Sequence, residues 1–563
     1  MAMKWVAGAA ALVAVYGVTA PSALAGKDRL RDAPVVWYED DRNDIPKPRK
    51  RDPNLNWDRL SDTVMLPRER LTNPVRVTWK IGTLFGGDHV SPAQNVNALD
   101  EVPNSTWFTN RMGLYPMSPA DVARGPGAGS GPDRSAQWTV VRAKTEGVTP
   151  GFNIKDATGQ VYVIKFDPPG FLGLTTGAGV VSNRILYGAG YNVPDDAVVT
   201  FRREDVAVGP GVELKDGAAM TEVDLDALLS SVAALPSGEW LAISSRFLDG
   251  KPVGPFDYKG RRKDDANDRV RHEDRRELRG LYVFAAWLSH FDTKQHNSLD
   301  MYVTENGRSY IKHHLIDFAS TLGAGARGPA ARHGYEFTVD PLPFFGRIIS
   351  AGLIEDPWRR RTRPRELPEV GFFDSEQFDP KRFKPLQPNT AFANTTRRDA
   401  YWAAKIVAAF TDEHIRAIVE QAKYPHAEAT NYITHAMIVR RDKIARAFFE
   451  EIPPLDFFVN SGGGVRFTDL GVKHHVYPGA STRYRVRCAA VNADRKAASW
   501  TPWTDLSGNI ISLSSGPAAT ASQADGEYPF LAIELQVDRG QGWSRSVTAY
   551  RARASGRVIA VDR

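Results

Sequence analysis

One stretch of the chain, residues 290–322, restricts what the protein can fold into more than any other. It opens with His290–Asn297, where histidine, aspartate, lysine and asparagine follow the order H-x-D-x-K-x-x-N. An apolar run, a turn at residues 305–307 and a second apolar run follow, and the second run leads to Asp317-Phe318. This alternation predicts a loop, a β-hairpin and an acidic residue at the end of the second strand.

The same spacing suits the transfer of phosphate groups. Asp292 can orient an acceptor hydroxyl or take its proton, and Lys294 can balance the negative charge that develops during transfer. Asn297 and Asp317 offer oxygen atoms of the kind that hold Mg²⁺ against phosphate oxygens. An amphipathic helix predicted at residues 276–289 leads directly into this stretch. The alternative interpretation is a hairpin with a solvated polar loop and no ligand.

A second set of candidates lies upstream. Val161–Phe166 alternates as a strand and carries Lys165 near its end, after a loop that contains Gly147, Thr149 and Gly151. Backbone N–H groups of such a loop can approach phosphates, and a lysine on the next strand can pair with them. The loop matches neither the P-loop pattern nor G-x-G-x-x-G. The alternative for Lys165 is an edge-strand lysine that only prevents aggregation.

Together these regions resemble the protein-kinase-like superfamily, with its catalytic loop and metal-binding Asp-Phe-Gly segment at residues 290–318 and its phosphate-binding lysine at Lys165. The resemblance covers residues 138–454. It implies a two-lobe domain, with a β-rich N-lobe and a helical C-lobe, of an atypical, secreted bacterial type. The site that it implies consists of catalytic Asp292 and Lys294, nucleotide-binding Lys165, Gly147, Thr149 and Gly151, and metal-binding Asn297 and Asp317.

The implied activity is Mg²⁺- or Mn²⁺-dependent transfer from a nucleoside triphosphate, with ATP as the expected co-substrate, to an unidentified protein or small-molecule acceptor. Whether a phosphoryl or a nucleotidyl group moves is left open.

The chain departs from the family pattern at three points. Kinases pair the strand lysine with a glutamate on the next helix, whereas the helix predicted at residues 177–187 has no acidic residue. Ala319 replaces the glycine of Asp-Phe-Gly, and there is no Ala-Pro-Glu signature. Either Glu146, Asp167 or another carboxylate pairs with Lys165, or Lys165 binds nucleotide unpaired. A third alternative is a catalytically inactive pseudokinase that serves as a binding or scaffold protein.

Changes in composition and in apolar periodicity along the chain predict an α+β protein with four parts. Residues 1–25 have the positive residue, short apolar run and small-x-small cleavage site of a signal peptide. Residues 26–137 form an N-terminal extension with a Gly-rich linker, residues 138–454 the kinase-like domain, and residues 455–563 a small all-β, sandwich-like domain. We therefore expect an exported protein, periplasmic or extracellular, with no transmembrane span after signal cleavage.

Composition restricts the partners and the stabilising bonds. The net charge of +6 allows an acidic partner without requiring one, and no nucleic-acid partner is predicted. Cys488 is the only cysteine, so no intrachain disulfide can form, and its alternating context predicts a buried strand residue.

The charged segment at residues 259–277 is predicted to be solvated rather than a ligand site. The first part of the extension should wrap the surface or stay loose.

The C-terminal β domain supports a third hypothesis, a structural protein that contacts an envelope polymer. Trp500, Trp503 and Trp543 could stack on carbohydrate, although we favour packing in a core or between domains. This hypothesis predicts polymer binding that survives Asp317→Ala. A scaffold, by contrast, has no need for Asp292 together with Asn297.

Overall fold

The computed structural model of the protein describes residues 29–52, 88–144, 149–338, 340, 347–350, 357–522 and 527–563. The predicted signal peptide and the predicted loop residue Gly147 lie outside these ranges. Within them the chain combines β-sheets and α-helices, which agrees with the predicted α+β class at this coarse level. Of the helices in the described ranges, none combines the length and the apolar character that crossing a membrane requires.

A six-stranded sheet opens the predicted kinase-like region. Its strands are Trp138–Ala143 (β1), Gly151–Lys155 (β2), Val161–Phe166 (β3), Asp196–Phe201 (β4), Val206–Val208 (β5) and Trp240–Arg246 (β6). They lie in the order β4-β6-β3-β2-β1-β5, and all pairs are antiparallel except β1 with β5. Because side chains alternate along a strand, Tyr162, Ile164 and Phe166 enter the core while Lys165 faces the other side. The predicted bounds of β3 are confirmed.

The helices of the described residues contribute most of the largest apolar core. They are Pro119–Arg124 (α1), Leu174–Ala189 (α2), Glu222–Ser230 (α3), Arg276–Leu288 (α4), Thr390–Ala393 (α5), Arg397–Ala408 (α6), Asp412–Glu420 (α7), Ala427–Phe449 (α8), Leu470–Lys473 (α9) and Gly516–Ala521 (α10). In this core Trp287 of α4 donates its indole N–H to the carbonyl of Met437 in α8 at 2.9 Å. The helices predicted at residues 177–187 and 276–289 are confirmed as α2 and α4, and α2 is longer at both ends.

The start of α2 is fixed by Asp167, a buried residue directly after β3. Its carboxylate accepts hydrogen bonds from the backbone N–H groups of Gly173, Thr175 and Thr176 at 2.8, 2.6 and 2.9 Å. Both threonine hydroxyls donate to it as well, each at 2.8 Å. These bonds satisfy donors that a helix leaves unpaired at its N-terminus. The oxygens of Asp167 are therefore committed to the helix.

The first turns of α2 lie against Tyr424, which follows α7. A Cβ atom on Gly177 would lie 2.3 Å from Cε1 of this ring, and one on Gly173 would lie 3.4 Å from Cδ1. Carbon atoms in contact are ordinarily about 3.5–4.0 Å apart. Glycine at position 177 therefore lets the helix and the ring approach each other, whereas the separation at Gly173 is that of an ordinary contact.

The hairpin predicted after residue 297 is confirmed. The strands of this part of the chain are Lys251–Pro252 (β7), Ser298–Glu305 (β8), Arg308–Leu315 (β9), Ala324–Gly325 (β10) and Gly328–Pro329 (β11). β8 and β9 pair along their whole length, β7 joins the edge of β8, and β10 pairs with β11. Asn306 and Gly307 form the turn between β8 and β9 with φ of 51° and 75°. Such left-handed values are those of a two-residue type I′ turn.

The C-terminal part contains two further sheets. Their strands are Leu455–Ser461 (β12), Gly464–Asp469 (β13), Arg483–Val491 (β14), Ala497–Trp500 (β15), Thr504–Leu506 (β16), Ile510–Ser512 (β17), Phe530–Asp538 (β18), Val547–Ala552 (β19) and Val558–Asp562 (β20). One sheet has the order β12-β13-β17, and the other has β15-β14-β18-β19-β20 with β16 also on β14. Apolar side chains from both sheets share one cluster that includes Cys488. Burial raises the pKa of the Cys488 thiol to about 12, so the predicted buried strand residue is confirmed.

The three tryptophans of this part stack on arginines at its surface. Arg485 lies 4.6 and 4.4 Å from the ring centroids of Trp503 and Trp543, and Arg487 lies 4.8 and 4.7 Å from those of Trp500 and Trp503. Alternation along β14 places both arginines on the face opposite the buried cluster, where cation–π contacts hold the rings. Our expectation of core or interdomain packing for these rings is wrong.

In the charged segment at residues 259–277, residues 265, 267, 268 and 272–277 are buried, whereas residues 261, 263, 264, 266, 269 and 271 are exposed. The prediction of a solvated segment is therefore wrong for about half of its residues. His272 pairs with Asp268 at 2.8 Å, and Arg262 pairs with Asp300 at 3.0 Å. Although burial acts in the opposite direction, the Asp268 carboxylate holds the pKa of His272 above its ordinary value. Buried charges are tolerated when each is paired. Sequence patterning does not reveal a pair such as Arg262 with Asp300, whose members are 38 residues apart.

Residues 29–52 wrap the structure beside this segment, which was one of the two predicted alternatives. The backbone N–H of Ile45 donates to the carbonyl of Ser309 at 2.9 Å, and that of Arg51 donates to the carbonyl of Val253 at 3.0 Å.

A buried cluster of ion pairs joins distant parts of the chain to the helices. Arg276 in α4 contacts Asp100 at 2.6 Å. Lys405 in α6 and Arg563 both contact Asp456 in β12, at 3.0 and 2.7 Å. None of these side chains is more than 6% exposed. The helical layer and the C-terminal sheets are therefore tied by charges that water does not reach.

Candidate functional site

The end of the β8–β9 hairpin brings Asn297 and Asp317 to one edge. Ser298 pairs with Leu315 at that end, and the N–H of Ile316 donates to the carbonyl of Asn297 at 3.0 Å. Asn297 directly precedes Ser298, and Asp317 directly follows Ile316. The hairpin register therefore determines the proximity of the two candidate metal-binding residues.

Helix α4 ends at Leu288, two residues before the H-x-D sequence begins at His290. The N–H of His290 donates to the carbonyl of Ala285 at 2.8 Å. The His290 ring lies 5.9 Å from that of Phe318, edge to face, and burial lowers the pKa of this histidine. His290 therefore joins the loop to the segment of Asp317 through its backbone bond to α4 and its ring contact with Phe318.

Asp292, Lys294 and Asn297 are linked to one another within the loop. The amide nitrogen of Asn297 donates to the backbone carbonyl of Asp292 at 2.7 Å, and the ammonium of Lys294 donates to the Asp292 carboxylate at 2.9 Å. With its nitrogen in this bond, the Asn297 side chain retains its oxygen for a cation. The Asp292 side chain is 17% exposed, so a small acceptor group can reach it.

Lys165 and Asp317, which are 152 residues apart in the chain, form an ion pair at 3.0 Å. Asp317 has a φ of 60°, a left-handed conformation that is uncommon for residues other than glycine and clusters at functional sites. Its side chain is 45% exposed. Although burial acts to raise it, the charges of Lys165, Lys144 and Lys294 hold the pKa of Asp317 below its ordinary value. The carboxylate is therefore ionised at neutral pH.

The geometry of α2 explains why Lys165 has no partner on that helix. A Cβ atom on Gly179 would lie 2.9 Å from Cδ1 of Ile243 and 3.9 Å from the backbone nitrogen of Ala319. The helix thus lies close to the sheet at Gly179, and any side chain there would have to displace Cδ1 of Ile243. Of the suggested partners, Asp167 accepts hydrogen bonds from the first backbone N–H groups of α2, and Glu146 lies outside the described residues. Asp317 itself is the carboxylate that pairs with Lys165.

The predicted phosphate loop is described at Thr149 and Gly151. A Cβ atom on Gly151 would lie 2.2 Å from the carbonyl oxygen of Ile164, so only glycine fits. The Thr149 carbonyl accepts a hydrogen bond from the ammonium of Lys144, a residue that the sequence reasoning missed. Its position directly before the glycine-containing turn was the available signal.

His333 is a second residue that the sequence reasoning missed. Its ring centroid lies 4.3 Å from that of Phe291, beside the loop. Burial lowers the pKa of His333, and the nearby Asp292 carboxylate acts in the opposite direction. No sequence motif marks this residue.

Two side chains at the hairpin end carry oxygen atoms of the kind that bind a hard divalent cation, but two are too few to fill its coordination shell. Asn297 and Asp317 supply an amide and a carboxylate oxygen, the donor types that Mg²⁺ takes in phosphate-transfer sites. Among the described residues, no group of three or more His, Cys, Asp or Glu side chains is placed to hold a metal ion. A cation at Asn297 and Asp317 would therefore need phosphate or water oxygens to complete its shell.

No protein-family model matches the chain, and no curated protein matches it. The crystal structure of a Helicobacter pylori proinflammatory kinase, CtkA, is similar over 56% of this chain and 97% of that chain, with 11% identity and a TM-score of 0.31. The Golgi casein kinase is similar over 57% of this chain and 74% of that chain, with 11% identity and a TM-score of 0.28. The same kinase with Mn/ADP bound gives 12% identity and a TM-score of 0.27 over the same shares. These TM-scores are all below 0.5, so the similarity carries no weight in assigning a function.

Proposed function

We propose that the protein is an exported, kinase-like phosphotransferase that moves a phosphoryl group from a nucleoside triphosphate to an acceptor hydroxyl. In this proposal the sheet of β1–β6 is an N-lobe, the helices around α4 form a C-lobe, and the site lies between them. The observation that carries the proposal is the 3.0 Å contact between Lys165 and Asp317. It connects the sheet to the hairpin end where Asn297 also lies, next to the loop of Asp292.

Each candidate residue then has a physical task. Lys165 binds phosphate oxygens through its charge, and the loop of Thr149 and Gly151 lies beside them. Asn297 and Asp317 would hold Mg²⁺, or Mn²⁺ in its place, and a cation bound there would neutralise phosphate charge.

The transfer itself falls to Asp292 and Lys294. A bond forms between the acceptor oxygen and the terminal phosphorus, and the bond from that phosphorus to the bridging oxygen breaks. Asp292 orients the acceptor hydroxyl and takes its proton. Lys294, at 2.9 Å from the Asp292 carboxylate, fixes that carboxylate and faces the charge that develops.

A second candidate function is a nucleotide-binding protein without catalytic activity. It is favoured by the close approach of α2 at Gly179, which leaves Lys165 without a glutamate partner, and by Ala319 after Phe318. The two functions differ in the need for Asp292. Asp292→Asn abolishes transfer by an enzyme, whereas a binding protein shows no transfer in either form.

Thermal unfolding with and without nucleotide tests the proposal. ATP, GTP and UTP are each added to the full chain with Mg²⁺, with Mn²⁺ or with a chelator, beside the variant Asp317→Asn. A ligand at 100 times its Kd stabilises the folded state by about 2.7 kcal/mol. We expect a metal-dependent rise in melting temperature that Asp317→Asn removes and that the exposed-site control Asp494→Asn retains.

Nucleotides labelled at the γ- or α-phosphate then identify the group that moves. If no nucleotide raises the melting temperature at concentrations up to millimolar, both candidate functions are contradicted.

A further inference from the structure

Lys144 lies beside the candidate site without a role in the function proposed above. It follows Ala143, the last residue of β1, and its ammonium donates to the carbonyl of Thr149 across the loop. We propose that Lys144 is a second phosphate-binding lysine, which holds the polyphosphate chain of the nucleotide from the loop while Lys165 holds it from β3. This inference rests on the proposed function and specifies which chemical part of the ligand Lys144 recognises.

The register of the sheet places Lys144 on the same face as Lys165. Gly151 in β2 lies directly opposite Lys165 in the antiparallel pair with β3. Directly opposed residues of an antiparallel pair project to the same side of the sheet. A Cβ atom on Gly151 would lie 3.4 Å from Cδ of Lys144. The aliphatic chain of Lys144 therefore lies against Gly151, the residue directly opposite Lys165.

The charges around Asp317 favour a ligand with several negative charges. Lys165 contacts this carboxylate at 3.0 Å, and Lys144 and Lys294 act on it electrostatically from the end of β1 and from the loop after α4. Each ammonium group can donate charge-assisted hydrogen bonds to phosphate oxygens. A polyphosphate offers several such oxygens to the three lysines, whereas a neutral sugar or nucleoside offers none.

Lys144 also has hydrogen-bond capacity left for a ligand. An ammonium group has three N–H donors. Within the described residues the bond to Thr149 uses one of them, and Lys144 forms no salt bridge there. Its side chain is half-buried, so its position is restricted before a ligand arrives. A hydrogen bond between a charged donor and phosphate that is lost in this setting weakens binding by about 10- to 100-fold.

Isothermal titration of the full chain with four ligands tests the inference. The ligands are Mg-ATP, Mg-ADP, inorganic tripolyphosphate with Mg²⁺, and adenosine. The variants are Lys144→Gln, Lys144→Arg and Lys165→Gln, with Lys155→Gln as the control. Lys155 is exposed and lies at the C-terminal end of β2, four residues after Gly151.

We expect Lys144→Gln to weaken binding of Mg-ATP and of tripolyphosphate by about tenfold or more, and to leave adenosine within about twofold. Lys144→Arg should retain most of the affinity because it keeps the charge, and Lys155→Gln should bind as the unaltered chain does. The melting temperature of each variant without ligand shows whether it is folded.

The outcomes separate the two proposals. If the unaltered chain binds Mg-ATP and Lys144→Gln binds it equally well, Lys144 has no phosphate-binding role, and the proposed function stands. An equal loss for adenosine and Mg-ATP would likewise overturn the inference, because the effect would not depend on phosphate. If the unaltered chain binds no nucleotide, the proposed function fails and this inference fails with it.

Discussion

The substitution Gly177→Ala tests whether Tyr424 sets the position of α2, because two opposing effects decide its sign. In an ordinary helix interior, alanine is more stable than glycine by about 1 kcal/mol. Here the new methyl group would lie 2.3 Å from Cε1, 2.7 Å from Cζ and 2.8 Å from the hydroxyl oxygen of Tyr424. Overpacking of a filled site costs about 1–3 kcal/mol.

The ring has little room to yield. Burial raises the pKa of Tyr424, and the carboxylates of Asp167 and Glu369 are close enough to raise it further. Gly173 also lies against the same ring, so the helix and these neighbours enclose it. The overpacking term therefore exceeds the helix-propensity term, and we expect a net loss of about 1 kcal/mol.

Hydrogen exchange of the α2 peptide, read by mass spectrometry, measures the free energy of local opening. The substitution is made alone and in a Tyr424→Leu background, where the shorter side chain leaves room for the methyl group. There it should be neutral or stabilising, which gives a coupling energy of about 1–2 kcal/mol between the two positions. Equal stabilisation by Gly177→Ala in both backgrounds would refute the reasoning, since helix propensity alone would then account for the result.

Three further predictions concern packing and burial. Asp456→Ala should lower stability by about 3–5 kcal/mol, because it removes a buried carboxylate and leaves Lys405 with Glu101 alone and Arg563 with the more distant Asp100. Asp494→Ala at an exposed ion pair should change stability by less than about 0.5 kcal/mol. Thermal unfolding compares the two variants, and similar effects would contradict the buried cluster. Asp167→Asn should destabilise the start of α2 by about 1–2 kcal/mol. Hydrogen exchange of the amides in the first turn of α2 should then be faster. Unchanged hydrogen exchange would mean that the hydrogen bonds to Asp167 are not needed. Because burial raises the pKa of Cys488 to about 12, the folded protein at pH 8 keeps the thiol protonated and enclosed. A disulfide reagent should modify it only after denaturation, and rapid reaction of the folded chain would contradict its burial.

Elements with a strong local pattern could be predicted from the sequence. The apolar periodicity before His290 predicted α4, and the Asn306-Gly307 turn between apolar runs predicted the β8–β9 hairpin. Both signals lie within a few residues of the element that they specify. The burial of residues 265, 267, 268 and 272–277 was missed in part because a charge of this segment is paired with a group far away in the chain, as Arg262 is with Asp300.

The candidate site shows the same division between local and distant information. The spacing from Asp292 to Asn297 is visible in the sequence, as is the strand that carries Lys165. The contact between Lys165 and Asp317 depends on how the sheet meets the hairpin, which no local pattern encodes. Lys144 was missed for a related reason, because its nearness to Lys165 follows from the register of β2 with β3.

The ion pairs around Asp456 have a consequence for how such a chain can change by recombination. A fragment that ends at Pro454 lacks Asp456, one of the two carboxylates that contact Lys405, a side chain only 3% exposed, and it keeps Glu101. Removal of one partner from a buried ion pair can cost several kcal/mol, a large part of the 5–15 kcal/mol that typically stabilises a folded protein. The C-terminal β region therefore contributes to the charge balance of α6. A replacement without an acid at the place of Asp456 leaves Lys405 with Glu101 as its remaining partner.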